Sequence, residues 1–454
     1  MPPPEFTLRA RFIFPVDTPP IESGTIRIAS ERIVSVGEGQ GEVDLDLGNS
    51  AVVPGFVNAH THLELSTLRA SELGGGGFVP WLRRVIATRA AQSPAEVAHA
   101  VSRGIDASLA AGTTLIGDIS TSGRSWKELL RSPLRAVVFA ELLGLKVDRA
   151  SQTTHAARQF LEWAYPPTES SGTEPVIEAA DAALASCEFP DGSPLAPPLP
   201  PVPRPCTRRL TASLSPHAPY SAHPLLYDWA AAWSMKAKVP LCTHLAETEE
   251  ELQLLRSGNG PLRDFLVSLG AWSNDWEPPG SSPAQWITGQ QTSQASWILA
   301  HGNYLCESEI AQLAAHNKSG HFQCAIAYCP RTHNYFGHRC HPHKKIRAAG
   351  ITVCLGTDSL ASSPSLSILD EMRFVRRRDS SLDGPALLRM GTIAGATALR
   401  MEQDCGSLAP GKYADLAVVR LPKVEGADPY DLLLQSHEPV VRTMIGGRWA
   451  YQRR

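Results

Sequence analysis

Eight apolar runs recur through the middle of the chain, each closing on polar residues and each followed by a stretch of helical texture: AVVPGFVNAHTH, GTTLIGD, AVVFAELL, LTASLSPHAP, VPLCTHLAE, SWILAHGNYL, FQCAIAYCP and GITVCLGTD. Runs this continuous predict strands covered on both faces, hence parallel strands joined by helices. Eight such units predict an α/β fold in the form of a closed (β/α)8 TIM barrel, whose strand ends converge on one mouth. At both ends of the chain the texture changes. FTLRARFIF, GTIRIAS and RIVSVGEG near the start, and GKYADLAVVRL and VVRTMIGGRWAYQ near the end, read as meander strands. Neither set alone supplies two covered faces. Residues 1–53 and 404–454 are therefore expected to form a small composite β-sandwich domain, with the barrel spanning 54–403. The Pro/Ser-rich stretch 166–208 and the stretch 272–293 break the barrel pattern and read as surface insertions, the second a lid or merely a loop.

Composition narrows the function classes. The 454 residues are 43% hydrophobic and 19% charged, ordinary for a globular chain. A formal net charge of -3 supplies no basic field for a polyanion, so nucleic acid is not an expected partner. No segment approaches the roughly eighteen apolar residues of a membrane span, and no membrane association is expected. Cysteines number nine, and Cys242, Cys324, Cys329 and Cys354 fall inside apolar runs, where they read as reduced core thiols of a cytoplasmic protein.

Polar side chains at the run ends carry the candidate chemistry. His60 and His62 close the first run, and a spacing of two puts both imidazoles on one side of an extended chain, able to pinch one metal ion. His244 closes the fifth run and Asp358 the eighth, so both would reach the same rim. Taken singly, His244 reads equally as a core histidine and Asp358 as a helix cap; together with the first pair they make three imidazoles and a carboxylate. That set suits one divalent transition metal ion, Zn2+ or Fe2+. Glu247 follows three residues after His244, close enough to carry protons between an activated water and a ring nitrogen. Its neighbours Glu249 and Glu250 read as an acidic first helical turn. His301, closing the sixth run, could hold or deprotonate the water. The cluster His338, Cys340, His341 and His343 has ligand-like composition, but candidates this crowded seldom wrap a tetrahedron, and it reads as an ordinary loop.

The segments PGFVNAHTHLE, HLAETEEE, LAHGNYL, YCPR and LGTDSLAS together resemble the amidohydrolase superfamily, in particular its mononuclear aminohydrolase branch. That branch includes cytosine, guanine, methylthioadenosine and aminodeoxyfutalosine deaminases and triazine chlorohydrolases. The resemblance implies His60, His62, His244 and Asp358 as metal ligands, Glu247 as proton shuttle, His301 in water activation, and Asp358 also as a base. His217, in SPHAPYS, matches the position where such enzymes often present a histidine to substrate. A second metal would call for a lysine at the end of the fourth run, and LTASLSPHAP has none. After the seventh run the chain departs from the Cys-Pro-x-Ser-Asn common in purine-nucleoside relatives, reading Cys329-Pro330-Arg331-Thr332-His333.

The expected function is a metal-dependent hydrolytic deaminase of a small aminoheterocycle, releasing ammonia. The alternatives are hydrolysis of a cyclic amide or chloro-heterocycle on the same scaffold, or a catalytically silent binding protein. HTHLE and FVPWLRRVI look more like aminodeoxyfutalosine deaminases than like guanine or cytosine deaminases, so a 6-aminopurine nucleoside is the expected substrate, aminodeoxyfutalosine first and methylthioadenosine or adenosylhomocysteine next. Phe78 and Trp81 are expected on a mouth loop, covering a flat ring, or else in the core. Arg331 with His333 is expected to offer a cation to an aryl carboxylate, unless Arg331 pairs with a structural acid. Such barrels often pair, which makes a homodimer the family expectation.

Overall fold

The computed structural model describes residues 5–39, 41–165, 209–277, 280, 282–289, 294–320 and 323–453. The insertion expected at 166–208 lies outside the described residues. Seven short strands come first: β1 (Phe6–Arg9), β2 (Phe12–Ile13), β3 (Ile21–Glu22), β4 (Gly24–Ala29), β5 (Arg32–Glu38), β6 (Leu45–Asp46) and β7 (Ser50–Pro54). The eight apolar runs then each supply one strand: β8 (Phe56–Thr61), β9 (Thr113–Thr121), β10 (Arg135–Leu142), β11 (Leu210–Pro216), β12 (Leu241–Leu245), β13 (Ser296–His301), β14 (Gln323–Tyr328) and β15 (Thr352–Leu355). The chain ends with β16 (Leu416–Arg420), β17 (Val440–Ile445) and β18 (Arg448–Gln452).

Alternation within the middle strands sorts their side chains into two layers. Val57 and Ala59, Leu115 and Ile119, Val137 and Phe139, Cys242, Ile298 and Ala300, Ala325 and Ala327, and Cys354 share one buried cluster. Residues of opposite parity, such as Ile116, Val138, Leu299 and Ile326, join the larger core formed with the helices. This is the arrangement of a TIM-barrel scaffold: parallel strands around a packed centre, with helices outside. The strands form two four-stranded parallel ladders, in the orders β11-β10-β9-β8 and β12-β13-β14-β15, instead of the single closed ladder that the sequence suggests. Both junctions have short, local bonding. At one, Thr61 bridges Asp358, and the amides of Thr357 and Asp358 donate to the His60 carbonyl at 3.2 and 3.1 Å. At the other, the His244 amide donates to the His217 carbonyl at 2.8 Å. Both junctions therefore lie where site residues stand.

Strands from the two chain ends pair in one sheet, β16 against β7. A four-stranded sheet, β5-β4-β1-β6, and a six-stranded sheet, β18-β17-β16-β7-β2-β3, bury Leu8, Ile26 and Ile28 from the first against Ile13, Val52, Leu416 and Met444 from the second. Arg135, opening β10, is bound to Asp415, just before β16, with Nε to Oδ2 at 2.7 Å, and Tyr413 lies 3.6 Å from its guanidinium carbon. That buried pair ties the end strands to the barrel floor. In the stretch 272–293, helix Pro283–Thr288 packs its Ala284 and Ile287 into the outer core, so this part braces the barrel flank.

Candidate active site

The first histidine pair stands where the β8 ladder is irregular. Its register against β9 shifts between Asn58 and Thr61, and such a bulge re-aims side chains at a strand exit. His244 needs no such device, since it continues the inward parity of Cys242. The ring centres of His60 lie 5.1 Å from His62 and 4.9 Å from His244, and one ligand atom from each of the three falls within 4.8 Å of the others. Asp358 brings Oδ1 to 3.6 Å from His62 Nε2, while its Oδ2 accepts a hydrogen bond from Ser362 at 2.8 Å.

Their protonation suits a metal. His244 Nδ1 lies 2.9 Å from the His217 carbonyl, an acceptor only, so Nδ1 carries the proton and Nε2 keeps its lone pair. His60 Nε2 is buried without a hydrogen-bond partner. Burial, reinforced by the neighbouring imidazoles, holds His60 and His62 well below the usual histidine range and His244 at about 4. All three are neutral donors at physiological pH. Burial raises Asp358 to about 6 in the absence of a cation. Three neutral imidazoles and a carboxylate thus fit a divalent ion, and a cation there would drive Asp358 to its anionic form.

Beside this cluster Glu247 Oε1 lies 3.4 Å from His301 Nε2, both side chains buried. Regular alternation would not bring His301 there: Ile298 and Ala300 face inward, so the next residue should face the helices. His301 instead has φ +71°, in the left-handed region, and its ring turns in to 5.4 Å from both His60 and His244. Ala246 (φ +52°) and Asp358 (φ +55°) share this conformation. It costs a non-glycine residue about 1–3 kcal/mol and survives only where the surroundings enforce it. Here the loops after β12 and β13 are laced together. Gly302 donates its amide to the Leu245 carbonyl at 3.0 Å, Tyr304 its amide to Ala246 at 3.1 Å, and Asn303 Nδ2 donates to the Glu247 carbonyl at 3.0 Å. Glu251 completes the clasp, accepting the amides of Ala246 and Glu247 at 3.0 and 2.7 Å on its two oxygens. Burial, then the charges of Asp358 and Glu251, push the Glu247 carboxyl well above its usual range, while burial pushes His301 well below. A carboxyl whose protonated form is favoured thus faces an imidazole whose neutral form is favoured, which pairs a proton donor with an acceptor.

His217 lies at the same rim, its ring 4.7 Å from His244 and its Nδ1 2.6 Å from Ser221 Oγ. The remaining expected contacts come out differently. Phe78 and Trp81 sit in the first turns of helix Phe78–Ala91, not on a loop, buried against Phe336, and Trp81 spends its N–H on the Ala361 carbonyl at 2.8 Å. They follow the core alternative. Arg331 is committed to fully buried Glu371, through Nε to Oε1 at 2.7 Å and its amide to Oε2 at 2.9 Å, and its Nη2 donates to the Ser365 carbonyl. Its guanidinium is thus engaged by protein groups. His333 packs among Tyr328, His338 and His341, and burial lowers it to about 4. Glu251 and Asn303 went unnoticed in the sequence. Thr248-x-x-Glu251 has capping-box spacing, but the Glu251 carboxylate turns to the preceding loop instead.

The amidohydrolase family model matches residues 51–186 and 203–450. The chain belongs to the amidohydrolase family. Among curated relatives of this amidohydrolase, an aminodeoxyfutalosine deaminase of Nitratiruptor sp. is 25% identical over 379 residues, covering 83% of this chain and 80% of the relative. A 5-methylthioadenosine/S-adenosylhomocysteine deaminase of Halalkalibacterium halodurans is 27% identical over 457 residues, covering 94% and 86%. Among solved structures, Helicobacter pylori aminofutalosine deaminase in complex with methylthio-coformycin superposes with TM-score 0.74 at 23% identity, over 98% of this chain and 99% of that one. The zinc complex of atrazine chlorohydrolase from Arthrobacter aurescens gives 0.73 at 20% identity, over 98% and 94%. At such identities the structural matches speak for the amidohydrolase fold. No helix among the described residues is long and apolar enough to cross a membrane.

Proposed function

We propose that this amidohydrolase is a metal-dependent hydrolytic deaminase of a 6-aminopurine nucleoside, releasing ammonia. The single observation that carries the reading is the buried Glu247–His301 contact at 3.4 Å, set against three neutral imidazoles and a carboxylate. The substrate class comes from the relatives, whose names include aminodeoxyfutalosine and 5-methylthioadenosine/S-adenosylhomocysteine deaminases. With Arg331 engaged by Glu371, a carboxylate on the substrate would need another partner, so the order among these nucleosides is left to assay.

His60, His62, His244 and Asp358 would hold the ion, for which Zn2+ is proposed; Fe2+ suits the same donors. Bound there, a divalent cation supplies Lewis acidity that makes water a nucleophile near neutral pH. The residues then divide the proton traffic. His301 and Asp358 orient the water and accept its proton as its oxygen bonds to the amino-bearing ring carbon. Glu247, whose burial favours the protonated form, donates to the adjacent ring nitrogen. The amino group then takes the proton held by Asp358 and the adduct hydroxyl returns its proton to Glu247, so that ammonia leaves as the C–N bond breaks and the carbonyl product remains. His217 is proposed to hydrogen-bond the bound ring. For the scaffold, we propose a catalytic (β/α)8 barrel over 54–403 that closes around this mouth, carried by a β-sandwich built from 1–53 and 404–454.

An ammonia-release assay with adenosine, methylthioadenosine, adenosylhomocysteine and aminodeoxyfutalosine tests the reading, alongside elemental analysis of the purified protein. At least one of the four should be deaminated by protein carrying about one divalent ion per chain. Metal-loaded protein inactive on all four would overturn the substrate class.

A further inference from the structure

The inward turn of His301 has a price in backbone strain, and the bonds that hold it can be traced. His301 pairs with Leu245 of β12, but the β13–β14 ladder ends at the Ala300–Ala327 pair, one residue short of it. The His301 carbonyl is met by His341, whose Nε2 lies 2.7 Å away. A carbonyl only accepts, so His341 must carry its proton on Nε2 and donate it. The His341 ring is buried and lies face to face with Tyr328, centres 3.9 Å apart and planes at 26°, which fixes the direction of that N–H. The same short loop makes two more ties to the catalytic loops. His338 Nδ1 lies 3.0 Å from the Tyr304 hydroxyl, next to Asn303, and Arg339 pairs with Glu249, two residues after Glu247.

From this geometry we infer that the segment His338–His341 is a strap across the loops after β12 and β13, in which His341 is a positioning residue for His301. Its Nε2–H holds the His301 carbonyl turned away from the ladder, and that rotation is what aims the imidazole at Glu247. A cluster with the composition of a metal site thus acts through one directed hydrogen bond. Among the described residues it does not bring three ligand atoms together as His60, His62 and His244 do. The inference rests on the reading of Glu247 and His301 as the proton-handling pair, and it predicts an effect on turnover separate from metal binding or folding.

The test compares His341→Phe, which keeps a flat ring against Tyr328 and loses the donor, with His341→Gln, whose amide N–H reaches about as far. Loss of one such supporting contact typically costs about 10- to 100-fold. Turnover of the substrate that wild type deaminates is expected to fall by about that factor in the Phe variant, with KM and metal content unchanged, and to recover to within about 3-fold in the Gln variant. Wild-type turnover in the Phe variant overturns the inference, as does a Gln variant as impaired as the Phe variant. Long-range 1H–15N NMR of the wild-type protein supplies a readout independent of activity or of the variants' folding. His341 should be the neutral Nε2–H tautomer, and an Nδ1–H tautomer overturns the inference even if no nucleoside is ever deaminated. If the tautomer is as expected but all four nucleosides are inert, the deaminase reading fails and the hydrogen bond stands.

Discussion

Glu247 Oε1 and His301 Nε2 lie 3.4 Å apart at the ends of adjacent strands, with a protonated carboxyl favoured on one side and a neutral imidazole on the other. Neither residue reaches the contact by simple strand alternation. Glu247 is placed by a loop whose amides Glu251 holds, and His301 by a left-handed turn.

Replacing the proton carrier should stop chemistry without emptying the site. Glu247→Gln keeps shape and hydrogen bonding but cannot cycle a proton, and kcat is expected to fall by about 10^2- to 10^4-fold. Elemental analysis should find the same metal content as in wild type. A variant that deaminates at more than a tenth of the wild-type rate would remove Glu247 from this role.

The metal-free protein should lose stability on acidification. Burial, then neighbouring His217, holds folded His244 at about 4 against an ordinary 6.5. Between those values the unfolded chain binds a proton that the folded imidazole refuses, so stability is intact above about pH 6.5 and declines as pH falls towards 4. Urea unfolding of metal-free wild type and His244→Gln between pH 7 and pH 4.5 measures this. The variant should show a shallower decline, and parallel curves would contradict the assigned shift.

Arg331→Met tests whether this guanidinium serves substrate or fold. With its Nε on Glu371, its removal strands a fully buried carboxylate. The expected cost is about 3–5 kcal/mol of stability in denaturant unfolding. Any loss of kcat/KM should be equal for substrates with and without a carboxylate. A selective loss on the carboxylate-bearing ones would restore the anchor role.

Asp415→Ala should loosen the joint between the end strands and the barrel. Besides Arg135, the Asp415 carboxylate accepts the Gly446 amide at 2.8 Å, so alanine leaves a buried guanidinium and an amide unpaired. A destabilisation of about 3–5 kcal/mol is expected, with metal content unchanged in the folded fraction. Unaltered unfolding would show that the joint adds nothing to stability.

The eight strands and the cluster of His60, His62 and His244 were legible because both write themselves locally. Near-continuous apolar runs mark strands covered on two faces, and His60, His62, His244 and Asp358 each follow directly on such a run. The pairing of the two chain ends also followed from strand number, since neither end can cover two faces alone. What the amino-acid sequence could not carry was direction. Parity along β13 turns His301 away from the site, and a left-handed turn reverses it, held by bonds between the loops after β12 and β13 and by His341 from a loop beyond the next strand. Whether Arg331 faces a substrate or a structural acid could not be read locally; Glu371 reaches it from the helix Ile368–Arg378. Phe78 and Trp81 carried the same apolar signal whether they faced a ligand or a core, and packing against Phe336 decided for the core. Burial periodicity is a property of neighbours along the chain, so the sequence by itself determined the strands and the residues at their ends. Hydrogen-bond partners and left-handed turns depend on which loops come to lie side by side, and that only the tertiary structure decided.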